Sequence, residues 1–402
     1  MSNSVIETIN VYRNPDYAQI VWVSIKTNDG FEGIGETSYV PETVESFILG
    51  PASDYLLGKD PSRIDLHWEK ISKLGSSKRG NYSAEMRGLS AIDMALWDLS
   101  ARRLNVPLYE LLGGLYRDKI KVYNTCAGYS YGVNRKPYEA GDIDFRKDKP
   151  YEDQHAFIND PAGLAESLLE EGFSAMKIWP YDQFVSNTDG NMIDLAQLEE
   201  GTEPFRIIRE KHKNKMEVMV ELHSYWNLPS AIRIAKSVEP YKPFWIEDPV
   251  PMDNFDTLYQ FKNSTTIPTT ASETLSTRWS FREMFEKRAV SICMFDISWV
   301  GGISEAKKIS SMAEAYNLPI ATHDCVGPLT LAFSIQLSLN VRNTLIQETV
   351  RAFNNTWYKE IVSNMPIIKD GFAHSTTELG CGVKLSKNFL ENKKTSIKTR
   401  SL

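Results

Sequence analysis

Cysteine is scarce in this sequence. Its four residues, Cys126, Cys293, Cys325 and Cys381, lie far apart and include no C-x-x-C pair, so no disulfide framework can be read and reduced thiols in a cytoplasm are expected. Long apolar runs are missing too, and none approaches the ~20 residues that a membrane helix needs. The opening residues, MSNSVIETINVYR, carry neither the basic nor the apolar region of a secretory signal. A cytoplasmic location and no membrane partner are the expectation. Positive charge is in deficit, with 45 Lys and Arg against 52 Asp and Glu. That balance disfavours a nucleic-acid partner, which demands a basic face. The one basic run, KKTSIKTR from Lys393 to Arg400, is expected to be a solvated, frayed terminus. No G-x-G-x-x-G follows the first strand of either half of the chain, which disfavours a dinucleotide site.

At 402 residues the chain exceeds a typical single domain, and one large barrel plus an appended domain would fit. The first segment reads as strands. Residues Ser4 to Arg13 alternate apolar with polar, Ala18 to Thr27 form a second run, and the turn Asn28 to Gly30 leads into FEGIGET, ending at Thr37. A helical stripe follows from Met86 to Leu104, where Leu89, Ile92, Leu96 and Leu99 recur at three- and four-residue spacing. From Lys119 onward, short β-branched or aromatic runs alternate with amphipathic helices. Eight candidate strands end at Thr125, Trp179, Glu221, Glu247, Glu273, Asp296, His323 and Glu348. Strict β-α alternation implies parallel strands joined by right-handed crossovers, and eight units imply a closed barrel, with a doubly wound open sheet as the alternative. Two polar stretches, Glu139 to Asp160 and Tyr181 to Glu203, are long for loops and read as functional covers. DGF (Asp370 to Phe372) and VKL (Val383 to Leu385) read as short strands returning to the first domain. The expected division is therefore 1–118, 119–350 and 351–402.

Ionisable residues stand at the strand ends: Lys177, Glu221, Glu247, Glu273, Asp296, His323 and Glu348. From Glu221 onward they recur in steps of 23 to 27 residues, each step one βα unit. Six successive units thus finish with an ionisable side chain at the C-terminal edge of the barrel, where such folds build active sites. Buried charges without partners destabilise a core, so a cation is expected among them. Glu221, Glu247 and Glu273, on adjacent strands, would converge and raise one another's pKa unless neutralised. A donor set of carboxylate oxygens, with no thiolate or imidazole, points to one Mg²⁺ rather than Zn²⁺.

The motifs WIEDP from Trp245, ASET from Ala271, the pair Asp296 and His323, and ALWDL from Ala95 ahead of LLGG from Leu111 resemble the mandelate racemase subgroup of the enolase superfamily. The resemblance spans essentially the whole chain. It implies a (β/α)7β modified TIM barrel with an N-terminal α+β capping domain that the C-terminal segment completes. It also implies that Mg²⁺ stabilises the charge that develops when a proton α to a carboxylate is removed. By the same resemblance His323 is the base, Asp296 its orienting partner, and Glu348 a hydrogen-bond partner of the enolate oxygen. Racemases of the subgroup carry K-x-K on the second strand, and the matching residues here are Lys177 and Trp179. An indole cannot take a proton, which disfavours two-base racemisation, and Lys177 is read as a contact to the substrate carboxylate, with a role as base the alternative.

His223 follows the first metal ligand by two in VELHSYW. Galactonate and mannonate dehydratases of the subgroup carry acid-x-His there, usually with Asp as the acid, and the histidine protonates a departing β-hydroxyl. The expected activity is therefore that of a sugar-acid dehydratase giving a 2-keto-3-deoxy acid. A cycloisomerase or epimerase acting on a sugar acid, anhydro-sugar acid or lactone is the alternative, and a catalytically silent barrel the remote one. Tyr39, Tyr181 and Asp182, from the capping loops and the insert after the second strand, are expected near substrate hydroxyls, with Trp179 as a further wall. A homo-oligomer is also expected.

Overall fold

The computed structural model describes residues 4–74, 83–132 and 149–402. The alternating N-terminal residues form an antiparallel sheet of β1 (Ile6–Arg13), β2 (Ile20–Thr27) and β3 (Glu32–Ser38). Between β2 and β3 the chain reverses as the Asp-Gly turn requires: Gly30 takes φ +87° and donates to Thr27 O at 2.9 Å. The helix Ala84–Leu104 lies against β3 and two glycines permit the approach. A Cβ at Gly35 would stand 2.0 Å from Ala91 O, and one at Gly33 would stand 2.1 Å from Ala95 O. Backbone on both sides leaves nothing flexible to yield. Gly35→Ala is therefore expected to destabilise the protein by about 3 kcal/mol, read as a lower midpoint in urea denaturation; an unchanged midpoint would contradict the packing described.

Eight parallel strands make the barrel: β4 (Lys119–Thr125), β5 (Ala175–Ile178), β6 (Glu217–Glu221), β7 (Ile246–Glu247), β8 (Thr269–Ala271), β9 (Ile292–Asp296), β10 (Ile320–His323) and β11 (Thr344–Thr349). Each pairs with the next, and β11 closes the ring on β4 with Glu348 opposite Tyr123. The chain is thus a (β/α)7β barrel with an N-terminal α+β cap, and the open-sheet alternative is excluded. Alternation then sorts the interior into two levels. The lower level is an apolar plug of Tyr123, Ala175, Met219, Trp245, Ile292, Met294, Ala321 and Ile346. The upper level holds the ionisable residues that stand two positions past a plug residue, Lys177, Glu221, Glu247, Asp296, His323 and Glu348. No helix among the described residues is long and apolar enough to cross a membrane.

The C-terminal segment differs from expectation. After β12 (Val362–Ser363) and β13 (Ile368–Lys369), the DGF residues lead into β14 (Phe372–His374), which pairs antiparallel with β13 and with the start of barrel strand β4. VKL contributes β15 (Lys384–Leu385), which pairs with β12. Neither joins the capping sheet. The strand that does so is β16 (Ser396–Ser401), drawn from the basic run expected to fray, and it pairs with β1 from Thr8↔Ser401 to Arg13↔Ser396. All its side chains are exposed, so backbone hydrogen bonds hold it rather than burial. Ion pairs Lys398–Glu45 and Arg400–Asp54 pin it to the cap.

The cap rests on the C-terminal edge of the barrel. Asp93 accepts from Ser304 N and Oγ at 2.9 and 2.6 Å. Asp98 of ALWDL accepts from Ile34 N, Cys381 N and Arg102. At the end of β3, Thr37 donates to Ser298 O at 2.8 Å, and Glu36 accepts from Thr330 N at 2.6 Å. These contacts set Tyr39 over the ends of β9 and β10, the strands that carry Asp296 and His323.

Of the two stretches read as covers, residues 139–148 lie outside the described residues. The remainder of the first contains the helix Asp153–Asn159. The second opens with the 3-10 turn Asp182–Asn187 and continues into the helix Leu195–His212.

Candidate active site

The upper level of the barrel converges on Lys177. Its ammonium lies 2.5 Å from Glu247, 3.0 Å from Glu348 and 3.2 Å from Glu221. Burial works against that charge, but Glu247, Glu348 and the other neighbours outweigh it and hold the ammonium well above the ordinary lysine range. Its ammonium donates to Glu247 and pairs by charge with Glu348 and Glu221, and a protonated ammonium has no lone pair to offer as a base. Each glutamate has further anchors. Glu221 accepts from the backbone N–H of Leu222 and His223 at 2.9 and 2.7 Å. Glu247 accepts from the Trp245 indole at 2.9 Å, which explains the tryptophan of WIEDP: two residues earlier on the strand, it points to the same side. Glu348 accepts from Asp324 N at 2.8 Å and from the Thr125 hydroxyl.

Glu221, Glu247 and Glu273 form one cluster, each offering a carboxylate oxygen within 4.8 Å of the others. Glu273 stands two residues past the end of β8, in the turn that follows the strand, and from there its side chain reaches the other two. Burial, then the charge of Glu221 beside it, pushes the Glu247 carboxyl well above its usual range. The donor set is hard and oxygen-only, and together with Glu348 it places four carboxylates around one lysine. That surplus of buried negative charge fits a divalent cation of the oxygen-preferring kind.

Two histidines flank the cluster. His323, at the end of β10, bonds through Nδ1 to Asp296 Oδ2 at 2.7 Å, while its Nε2 lies 2.8 Å from Glu273. Asp296 is itself fixed by Ser298, whose N and Oγ donate to its other oxygen at 2.7 and 2.6 Å. Burial opposes a charge on His323, but Glu273 and Glu348 outweigh it and raise the imidazole well above its ordinary value. His223 bonds through Nδ1 to Asp182 Oδ2 at 2.7 Å, and its Nε2 stands 3.3 Å from the Tyr131 hydroxyl. Burial opposes its charge as well, but Asp182 and Glu221 raise it to about 9. His223 and Ser224 both take left-handed backbone, with φ +47° and +60°. Such strain costs on the order of 1–3 kcal/mol per residue and tends to collect at working sites.

One pocket joins these groups. Lys177, His223, Glu273 and His323 line its floor, and Tyr39, Tyr131, Trp179, Trp299, Thr125 and Cys325 form its walls. The structure thus brings together Lys177, Trp179, Glu221, Glu247, Glu273, Asp296, His323, Glu348, His223 and Tyr39. Tyr181 is a correction. It is fully buried, stacked on Phe205, and its hydroxyl bonds Thr202 and Ser237, in the layer between barrel and helices. It lies past the end of β5 at Ile178, in irregular chain just ahead of the 3-10 turn Asp182–Asn187. Asp182 faces the site as the partner of His223. Thr125, Tyr131, Trp299 and Cys325 went unnoticed in the sequence. Only Thr125, at the end of β4, carried a signal, because it occupies the same edge as the acids.

Residues 161–389 match the family "Enolase C-terminal domain-like", and residues 12–113 match "Mandelate racemase / muconate lactonizing enzyme, N-terminal domain". The chain belongs to the enolase superfamily. Among curated relatives, this superfamily member is 30% identical over 392 residues to a D-galactonate dehydratase of Pectobacterium atrosepticum, covering 96% of this chain and 93% of that one. Among solved structures, it superposes with a TM-score of 0.87 at 38% identity on an enolase of the mandelate racemase subgroup from Agrobacterium tumefaciens, a structure containing a succinimide residue, sodium and phosphate. An enolase protein from Sargasso Sea environmental sequence gives a TM-score of 0.88 at 33% identity. Each comparison covers 99% of both chains. The barrel and cap described above agree with that membership, and the chain is an enzyme of the superfamily.

Proposed function

We propose that this enolase-superfamily enzyme dehydrates a sugar acid, removing the proton α to its carboxylate and expelling the β-hydroxyl as water. The observation that carries the reading is a pair of histidines, each tied through Nδ1 to a buried aspartate, opening into one pocket on either side of a carboxylate cluster. One proton must leave C2 and one must arrive at the C3 oxygen, and two separately anchored imidazoles suit those two tasks. The D-galactonate dehydratase relative supports the same class of reaction.

Glu221, Glu247 and Glu273 would hold Mg²⁺. When bound, the ion supplies positive charge beside the substrate carboxylate and so acidifies its α C–H. The chain's own residues do the rest. Lys177, fixed among three glutamates, offers its ammonium to a carboxylate oxygen. Asp296 holds His323 through Nδ1; with the charge of Glu273 taken up by the cation, Nε2 would be deprotonated and able to take the C2 proton. His223 delivers a proton from Nε2 to the C3 hydroxyl, the C3–O bond breaks, and water leaves. The resulting enol tautomerises to a 2-keto-3-deoxy acid. Trp179 and Trp299 flank the imidazoles, with ring centroids at 5.7 and 5.3 Å, and keep bulk water from the transferring protons. Epimerisation would need a base on the opposite face, where Trp179 stands.

A library of hexonic, pentonic, anhydro-sugar and aldaric acids, assayed for 2-keto product with Mg²⁺, tests the reading. At least one member is expected to yield a 2-keto-3-deoxy acid; ring opening or closing without loss of water would move the assignment to a cycloisomerase. His223→Asn is expected to slow elimination by about 10²–10⁴-fold, while α-proton exchange with D₂O persists. Near-normal product formation in that variant, with Mg²⁺ binding intact, would reduce His223 to a bystander.

A further inference from the structure

We infer that Asp182 is a positioning residue for the acid: its carboxylate fixes the His223 ring so that Nε2–H is presented to the departing hydroxyl. The inference rests on the dehydratase reading. Its geometric basis is a 2.7 Å bond from His223 Nδ1 to Asp182 Oδ2, with Asp182 only 1% exposed. The backbone of His223 is already anchored, since its N–H donates to Glu221 Oε1 at 2.7 Å and its φ is +47°. Only the two side-chain torsions then remain free. A hydrogen bond to one ring nitrogen settles both the tautomer and the direction of the other. That direction is toward the pocket, because Nε2 stands 3.3 Å from the hydroxyl of Tyr131, a pocket-wall residue. The edge-on contact with Trp179 and the tilted one with Tyr225, at 5.7 and 5.9 Å between ring centroids, confine the plane of the ring.

The arrangement repeats, from different elements, what Asp296 does for His323. Asp296 and His323 sit opposite each other on neighbouring barrel strands. Asp182 comes instead from the 3-10 turn Asp182–Asn187 that opens the segment after β5. The orientation of the acid is thereby tied to the conformation of that segment, while the orientation of the base is built into the sheet.

The test compares two leaving groups. With the sugar acid selected by the library screen, Asp182→Asn is expected to lower kcat for water loss by about 10–100-fold, with KM and α-proton exchange nearly unchanged. With the 3-deoxy-3-fluoro analogue of that sugar acid, whose fluoride departs without a full proton transfer, the same substitution is expected to have little effect. Asp182→Glu, which keeps the carboxylate, is expected to recover part of the loss. Equal losses on both leaving groups, loss of the exchange, or no loss at all would each overturn the inference. Should Asp182→Asn fail to fold, Asp182→Ser is carried through the same pair of substrates with the same outcomes. A water-specific loss in His223→Asn but not in the Asp182 variants sinks this inference alone. Its absence in His223→Asn sinks the acid reading beneath it.

Discussion

His323→Asn is expected to lower turnover by about 10⁴-fold, the upper end of what a positioned base contributes, and to abolish exchange of the substrate α-proton with D₂O. The size of the effect follows from the lack of a substitute among the described residues that line the pocket. Trp179 occupies the place where a second lysine would stand, and an indole cannot accept a proton. Lys177 is close, but it is held as an ammonium among Glu221, Glu247 and Glu348 and has no lone pair to accept a proton. His223 lies across the pocket, with its Nδ1 spent on Asp182. The asparagine is smaller than imidazole and polar, so Asp296 keeps a donor within reach and the barrel keeps its fold. Proton NMR of the substrate in D₂O measures the exchange directly, whether or not elimination follows. Appreciable exchange in the variant would mean that another base operates, with Lys177 as the first suspect, and the one-base reading would fall.

The contrast between His323 and His223 also shows which parts of this molecule can be read from its sequence. Barrel strands have a constant phase: every second residue faces inward, and each βα unit returns the chain to the same edge. Glu221, Glu247, Asp296, His323 and Glu348 were therefore legible as one layer from spacing alone. Glu273 was legible from its 26-residue step alone and not from alternation, because β8 ends at Ala271 and Glu273 stands in the turn beyond it. The partnership of Asp182 with His223 was not. It joins positions 41 residues apart through an irregular turn, and no periodicity connects them. Tyr181 misled for a related reason, since it lies on the irregular insert after β5, where no periodicity says which way a side chain faces. The C-terminal run failed differently. An edge strand whose six side chains are all exposed has no apolar pattern to display, and its lysines are what an unprotected sheet edge uses against unwanted pairing. Its place in the sheet is decided by the open hydrogen-bonding edge of β1, which lies almost four hundred residues earlier in the chain.

Glu247→Gln should weaken Mg²⁺ binding by at least about 100-fold, more than the loss of a residue behind a ligand typically causes, and eliminate turnover while the protein stays folded. Glu247 is the central member of the cluster, on β7 between the strands that lead to the other two, and it is wholly buried. One oxygen faces Lys177 at 2.5 Å and the other faces the Trp245 indole at 2.9 Å. An amide has a single acceptor atom, so glutamine can satisfy only one of these donors and turns its own NH₂ toward the other. The local cost is about 1–3 kcal/mol for a buried group left unpaired. Part of that cost is offset, because removing one charge relieves the repulsion among four neighbouring carboxylates. The variant is therefore expected to be modestly less stable without Mg²⁺. With the ion the difference should widen. Wild-type protein gains stability by mass action as Mg²⁺ rises above its dissociation constant, whereas the variant should gain little over the same range. Titration calorimetry with Mg²⁺ alone and thermal unfolding across a Mg²⁺ series read these two quantities without reference to any substrate. Unchanged Mg²⁺ affinity in Glu247→Gln would remove the cluster from the metal-binding role, and the pocket would then have to neutralise its carboxylates through Lys177 and the two histidines alone.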